Sequence, residues 1–466
     1  MRVFLPLLCR PLRHPLRLVR LVRLVRLVRF CLVLLCPLML CLVLLCPGPA
    51  LAARVFTLEQ AVHTALERNF SIEAARQGQL AALEGRRASQ SAFGPKLGTG
   101  YDYDRRQHGV SSAGRLQDKE LFTWRISLTQ NVFSGFATLA DYQKAALQEE
   151  SAAEGIRQAR LELVRTVQEN FFIYLRAVED VRSARDALER LQSQLKSSQA
   201  FYDVGVSPRI DVLQAEVDVS GAENSLLIAE NAVATQRARL NTLLLLPLDE
   251  AVEYRGELMV LPFTLSQEQC LRQAHERRPD LIMAEKAVSI AEKDLTRARS
   301  GFYPRVDAYG GWGTQGSDAL AAGSPNARTR YNEWTVGVTA EWPVFEWGKT
   351  AHESRQAGHQ RSKVRAEAEN LRQEVAFMVK ERILAMTEAA KRVKVALKGV
   401  EQAREAYRMA DARYRQQVGT MTDVLDAQAK LSLAEAALAG ARADYSISLS
   451  SLYAAIGDEN PGLAPR

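Results

Sequence analysis

Cysteine is nearly missing from this chain after its first 52 residues. Of six cysteines, Cys9, Cys31, Cys36, Cys41 and Cys46 fall early, and only Cys270 follows. An intramolecular disulfide beyond residue 52 is therefore excluded, and a lone cysteine at an apolar helix position is ordinary packing. Acidic residues and lysine are absent from residues 1–52, which hold eight arginines. The chain's 61 Lys and Arg and 54 Asp and Glu give +7, but without that segment 53 bases face 54 acids. The basicity is local, so it does not describe a nucleic-acid binder. Proline is absent from about 138–203 and 349–416, where Gly155, Gly358 and Gly399 are the only glycines. Helices there can run uninterrupted, and at 1.5 Å per residue each would reach about 100 Å. No ordinary globular core needs that length. Tryptophan is scarce as well, and all five residues lie in or beside two short segments, none in the long helices.

The first 52 residues read as a secretory signal peptide. Four Leu-Val-Arg triplets end at Arg29, an apolar stretch runs from Phe30 to Cys46, and Ala50-Leu51-Ala52 supplies a small-residue cleavage pattern before Ala53. A retained membrane anchor is the competing reading, but the stretch contains Pro37 and is short for a span of ~20 residues. A lipid anchor at Cys46 would follow Leu45, where a small residue is wanted.

The remainder is one unit written twice. Phe56-Thr57-Leu58 matches Phe263-Thr264-Leu265, and Phe93-Gly94-Pro95-Lys96-Leu97 matches Phe302-Tyr303-Pro304-Arg305-Val306 at an offset of 209. Val132-Phe133 matches Val344-Phe345, and Asp211-Val212-Leu213 matches Asp423-Val424-Leu425, both at 212. The extra three residues fall in the Gly-rich segment 310–332. A first repeat at 53–245, a linker at 246–263, a second repeat at 264–457 and a tail at 458–466 follow. Thr57 with Gln60 and Thr264 with Gln267 have capping-box spacing. Each half then reads as helix, two strands, a very long helix and a further helix. The last begins near 208 and near 422, with Ser207-Pro208 as an N-cap and N1 pair and Thr422 as the second N-cap. Phe171, Leu175, Val178 and Leu188, Leu191, Leu195 have the alternating spacing of coiled-coil packing.

The strands decide the class. Phe122, Trp124, Ile126 and Leu128 alternate with Thr123, Arg125, Ser127 and Thr129. Trp334, Val336, Val338, Ala340, Trp342 and Val344 alternate with Thr335, Gly337, Thr339 and Glu341. Segments 96–104 and 305–313 are weaker versions carrying Tyr101, Tyr103, Tyr309 and Trp312. Runs of ~10 residues with one apolar face and interfacial tryptophan suit tilted membrane strands. Four strands cannot close a barrel, and an open edge in lipid strands backbone groups without partners. Membrane strands here require an oligomer.

The duplicated order of elements, Phe302-Tyr303-Pro304 before a strand, Gly205 with Asp211-Val212-Leu213, and Val418-Gly419-Thr420 running into Asp423-Val424-Leu425-Asp426 resemble the TolC family of bacterial outer-membrane efflux proteins. The resemblance covers about residues 55–457. It implies an α+β membrane protein that forms a homotrimer. Long helical hairpins would build an α-barrel, and four strands per chain would share one β-barrel in outer-membrane lipid of a Gram-negative bacterium. It also implies a passive exit duct working with a periplasmic adaptor (membrane fusion) protein and an inner-membrane pump of RND or ABC type. Efflux and type I secretion stand equally, and no cofactor is implied. The helix breaks would be periplasmic tips, with Val204, Gly205, Val418 and Gly419 facing the adaptor. Asp423 and Asp426 are three apart and share a helix face, so a trimer would gather six carboxylates. Acids in a first helical turn are equally explained by the helix dipole, for Asp211 as for Asp423. Family gates place a Tyr nine residues before the first Asp, matched by Tyr414 and Tyr202. They place an Arg between, where this chain has Gly419; Arg209 is the candidate substitute. Gly205 and Gly419 could also simply end helices.

The sequence carries no complete motif for other chemistry. Gly348-Lys349-Thr350 lacks the upstream glycine of a phosphate-binding loop, Pro343 standing there. His352 and His359 are two helical turns apart, ~10 Å, too far to share a metal. The alternative to a channel is a soluble periplasmic coiled-coil scaffold or adaptor, which accounts for the helices but not for the strand tryptophans.

Overall fold

A computed structural model describes residues 54–105, 120–316, 318–321, 331–460 and 462–463. The signal-peptide reading of residues 1–52 lies outside the described residues, as does most of the loop between the last two long strands.

Strand β1 (Val55–Phe56) leads into α1 (Leu58–Arg68). Thr57 caps α1 by the expected box: its Oγ1 accepts from the Gln60 amide at 3.4 Å, and Gln60 Oε1 accepts from the Thr57 amide at 3.0 Å. A strand β4 (Glu253–Tyr254) and α5 (Gln267–Arg277) open the second half. There the box is Ser266 with Gln269, not Thr264 with Gln267. Gln267 is already the first helical residue, and Phe263 and Leu265 ahead of it pack against the core. Helices α2 (Phe70–Ser91) and α6 (Pro279–Arg299) follow. Asn69 and Arg278, both extended, each end one helix and start the next.

Strands β2 (Lys96–Arg105), β3 (Glu120–Ser134), β5 (Arg305–Gly316) and β6 (Tyr331–Glu341) form one antiparallel sheet in the order β2-β3-β5-β6. Strand β6 stops at Glu341, so Trp342 and Val344 lie beyond the strand in which their alternation placed them. Pro343 has no amide to extend a ladder, and the Trp342 indole donates instead to the Phe302 carbonyl at 3.2 Å. A bulge at Val132 shifts the β3–β5 register between Asn131 and Phe133.

Helices α3 (Ala137–Asp203) and α7 (Lys349–Arg415) have 67 residues each, and α4 (Arg209–Leu243) and α8 (Met421–Ala455) have 35 each. The element order thus runs through twice, with equal lengths for these long helices. No described helix is long and apolar enough to cross a membrane. The long helices are amphipathic rods whose buried residues include Val164, Val167, Phe171 and Leu175 on α3 and Val375 and Val379 on α7.

The main core sits at the middle of these rods, where both halves meet. Strand β1 pairs in parallel with β4. Phe171, Leu240, Cys270, Ala274, Leu449, Leu452 and Ile456 are fully or almost fully buried there. Cys270 is free and buried, as a small apolar residue would be. Burial pushes its thiol pKa up, which keeps it unreactive. Asn241 organises the linker, donating to the carbonyls of Pro247, Leu248 and Glu250 and accepting from the Tyr254 hydroxyl at 2.7 Å.

Candidate gate and membrane face

Both helix breaks are Schellman turns. At the first, the Gly205 amide donates to the Tyr202 carbonyl at 2.9 Å and the Val206 amide to the Phe201 carbonyl at 2.8 Å. At the second, the Gln417 amide donates to Tyr414 at 2.9 Å and Val418 to Arg413 at 3.0 Å. The left-handed residue is Gly205 (φ 76°) in one and Gln417 (φ 60°) in the other. Gly205 therefore ends its helix as expected, but Gly419 does not; the partner of Gly205 is Gln417. Gly419 serves closeness instead. A Cβ there would lie 3.1 Å from Arg413 Cβ, so a large side chain would press on the end of α7. Val204, Gly205 and Val418 are exposed on the turns.

The following helices start one or two residues away from their expected places. Pro208, not Ser207, is the N-cap of α4. Thr420, not Thr422, caps α8, and it closes a full box with Asp423. Thr420 Oγ1 accepts from the Asp423 amide at 3.2 Å, and Asp423 Oδ2 accepts from the Thr420 amide at 3.1 Å. A Thr two residues further on would already be inside the helix. These bonds from Thr420, helped by the nearby Arg413 guanidinium, hold the Asp423 carboxyl below its ordinary pKa. Asp423 and Asp426 are both exposed, and Asp211 is half-buried in the first turn of α4.

The two tyrosines have different surroundings. Tyr202 is exposed. Tyr414 is buried in a small apolar cluster with Ala215, Met421 and Val424, against Leu195, Phe201, Tyr407, Ala410 and Leu425. That cluster draws on α3, α4, α7 and α8, so it joins the two turns of one chain. The Tyr414 ring meets Phe201 edge-on at 5.7 Å, and its hydroxyl lies 3.4 Å from Ser198 Oγ. Sequence reasoning missed the polar tie above it. Arg190 on α3 donates to Gln428 at 2.9 Å and to Glu435 at 3.2 Å, both on α8, while Arg404 on α7 lies 3.6 Å from Glu435. No local pattern marks such a group, because Arg190 lies more than 200 residues from its partners Gln428 and Glu435 and meets them only through packing.

At the other end, the pairing of strands fixes which side chains share a face. Phe122, Trp124, Ile126 and Leu128 pair with Tyr103, Tyr101, Thr99 and Leu97 on β2. On β5, Ile126 pairs with Trp312, which in turn pairs with Trp334 of β6. One face therefore carries Tyr101, Tyr103, Phe122, Trp124, Trp312, Trp334, Val336 and Val338. Trp124 and Trp312 meet edge-on at 5.7 Å. The other face carries Arg125, Ser127, Asp307, Glu333 and Thr335, with Arg125 bonded to Asp102 at 2.5 Å. Strands β2 and β6 each leave one side of their backbone unpaired in this chain. Of the expected strand aromatics, Phe122, Trp124, Trp312 and Trp334 lie in the sheet; Trp342 does not.

These features define an outer-membrane channel subunit. The sequence model of the family described as outer membrane efflux protein matches residues 61–244 and again 270–458. The chain belongs to that family of Gram-negative outer-membrane proteins. It is 25% identical to outer membrane protein TolC of Vibrio cholerae over 393 residues, spanning 81% of this chain and 85% of the relative. It is also 25% identical to alkaline protease secretion protein AprF of Pseudomonas aeruginosa over 409 residues, covering 85% and 84%. Its fold matches a crystal structure of a membrane protein from Pseudomonas aeruginosa with a TM-score of 0.77 at 21% identity, over 87% and 91% of the two chains. The soluble scaffold alternative is not favoured.

Proposed function

We propose that three copies of this chain form a passive exit duct from the periplasm to the exterior. The duct would serve a tripartite efflux pump or a type I secretion system. The observation that carries this reading is the four-stranded sheet with an aromatic, apolar face, two unpaired edges and rods of about 100 Å attached. An isolated sheet of this kind in lipid leaves backbone groups unbonded, at several kcal/mol each. Three copies supply twelve strands and remove every edge. The apolar face then meets lipid and the Arg125–Asp102 face lines the lumen. The internal duplication lets each chain provide two similar sectors of the wall. No catalysis is involved. Energy would come from an inner-membrane pump of RND or ABC type, coupled through a periplasmic adaptor that docks at the helix turns.

The turns are read as the closed end. Asp423 and Asp426 of three copies would place six carboxylates around one axis, a ring that favours cations and narrows the passage. The capping role of Asp423 is compatible with this, because the box uses one carboxylate oxygen and leaves the other free for cations. The tests are the detergent-corrected mass of the extracted protein by light scattering and single-channel recording. Three copies and a cation-selective pore are expected. Asp423→Ala with Asp426→Ala should weaken cation preference and relieve block by multivalent cations; unchanged selectivity sinks the gate assignment. A stable monomer sinks the channel reading.

A further inference from the structure

The two junctions between strand and long helix share a backbone but differ in surroundings. Between β3 and α3, Gly135 and Phe136 take left-handed φ values of 60° and 72°. Between β6 and α7, Trp347 and Gly348 do so at the matching places, with 52° and 80°. The first junction is packed. A Cβ on Gly135 would lie 2.9 Å from Tyr303 Cβ and 2.5 Å from the Ser300 carbonyl. Tyr303 also meets Phe133 and Phe136 edge-on. The second junction is bare: Phe345 is 73% exposed and Trp347 89%. A bulky side chain in the left-handed region is strained, and such strain persists where the position is used.

Tyr303 lies in the turn Phe302-Tyr303-Pro304, whose counterpart in the first half is Phe93-Gly94-Pro95. At the packed junction Gly135 meets Tyr303. The counterpart contact sets Trp347 against Gly94, so small against large becomes large against small and the filled volume is kept. Gly94 has the space: a Cβ there would have only the Ser91 carbonyl within 4 Å, at 3.5 Å, and Phe93 beside it is exposed. Within one chain the two partners belong to opposite edges of the sheet, β6 and β2. Only another copy brings them together.

We propose that the Phe345–Trp347 knob of each copy seats on the Phe93–Pro95 turn of the next. It would dock β6 on the neighbour's β2 in the register that β3 makes with β5. This rests on the trimer reading and deepens it. Carrying the observed β3–β5 pairs across by the two repeat offsets gives the register. Thr129 opposite Tyr309 becomes Glu341 opposite Gly100 of the next copy. Ile126 opposite Trp312 becomes Val338 opposite its Tyr103, which continues the aromatic face across the joint. Ser134 opposite Arg305 becomes Glu346 opposite its Lys96, an acid facing a base.

The test is thiol bridging in the full chain, with Cys270 buried and out of competition. W347C/G94C and E341C/G100C, oxidised or joined with a short bis-thiol reagent, should give covalent ladders up to the whole oligomer. E341C/G98C, shifted by two residues on the same face, should give at least about tenfold less. The E341C/G100C pair leaves the knob intact and so tests the register even where W347C fails to assemble. A light-scattering mass of three copies with bridging only in the shifted pair overturns the docking and leaves the trimer standing. A monomeric mass overturns the trimer reading itself.

Discussion

Gln417 and Gly205 fill the same left-handed position in two turns with matching hydrogen bonds. For a residue with a Cβ that conformation costs about 1–2 kcal/mol, which glycine largely avoids while losing more backbone entropy on folding. Gln417→Gly should therefore stabilise the second turn by up to about 1 kcal/mol, and Gly205→Gln should destabilise the first by about 1–2 kcal/mol. Amide hydrogen exchange at Val206 and Val418 reads both. Asp423 gives a pH signature at the same place. Its folded pKa is depressed by its bonds to Thr420. Its stabilising contribution is complete above the unfolded carboxylate value of about 3.9 and is lost as pH falls through the lower folded value. The start of α8 should accordingly hold at pH 4 and fray below it. Asp423→Asn, which keeps an acceptor but cannot titrate, should flatten that dependence.

At the scale of elements, the sheet is where a pattern became a surface. Period-two alternation in β3 and β6 gave the apolar side directly, because successive residues of a strand point to opposite faces whatever the partner strand is. On β6, Val338 shares the face of Trp124 and Trp312, while Thr339 pairs with Asp307 on the other. In the barrel proposed above, Val338→Arg should cost about 2–4 kcal/mol if it lies near the bilayer midplane, and should lower the yield of assembled protein in outer-membrane fractions. Thr339→Arg, beside the Asp307 carboxylate on the face proposed to line the lumen, should assemble normally. The limits of sequence reading were equally local. Pro343 ended β6 before Trp342, a stop that alternation alone does not weigh. The starts expected at Thr264 and Thr422 fall instead at Ser266 and Thr420, because two hydroxyl residues stand near each of those helix starts, whereas α4 starts after Pro208 with no side-chain cap at all. The long helices were legible from missing proline. The four-helix cluster around Tyr414 and the Arg190–Glu435 tie were not, since nothing in α3 foretells which face of α8 it meets.

At the scale of the whole molecule, the two halves are alike in order but not separable. The core mixes Phe171 and Leu240 from the first with Cys270, Val375 and Leu449 from the second. Gln168 on α3 donates to the Asn460 carbonyl and accepts from the Ser450 hydroxyl, and Arg160 donates to both Glu459 carboxylate oxygens, to Oε1 at 3.0 Å and to Oε2 at 2.7 Å. A chain stopped after residue 245 should lack a cooperative thermal transition by circular dichroism, although it keeps one complete set of elements.

The short parallel pair of Val55 and Phe56 with Glu253 and Tyr254 has a consequence in time. A protein bound for the outer membrane crosses the inner one as an extended thread, its beginning first. Val55 then emerges about 200 residues ahead of the strand it needs. At roughly 5–20 residues per second, that gap is on the order of ten seconds or more when threading keeps pace with synthesis. During it the first half presents half a core and two raw strands to its surroundings. Until the second half arrives, the first is the aggregation-prone form of this chain.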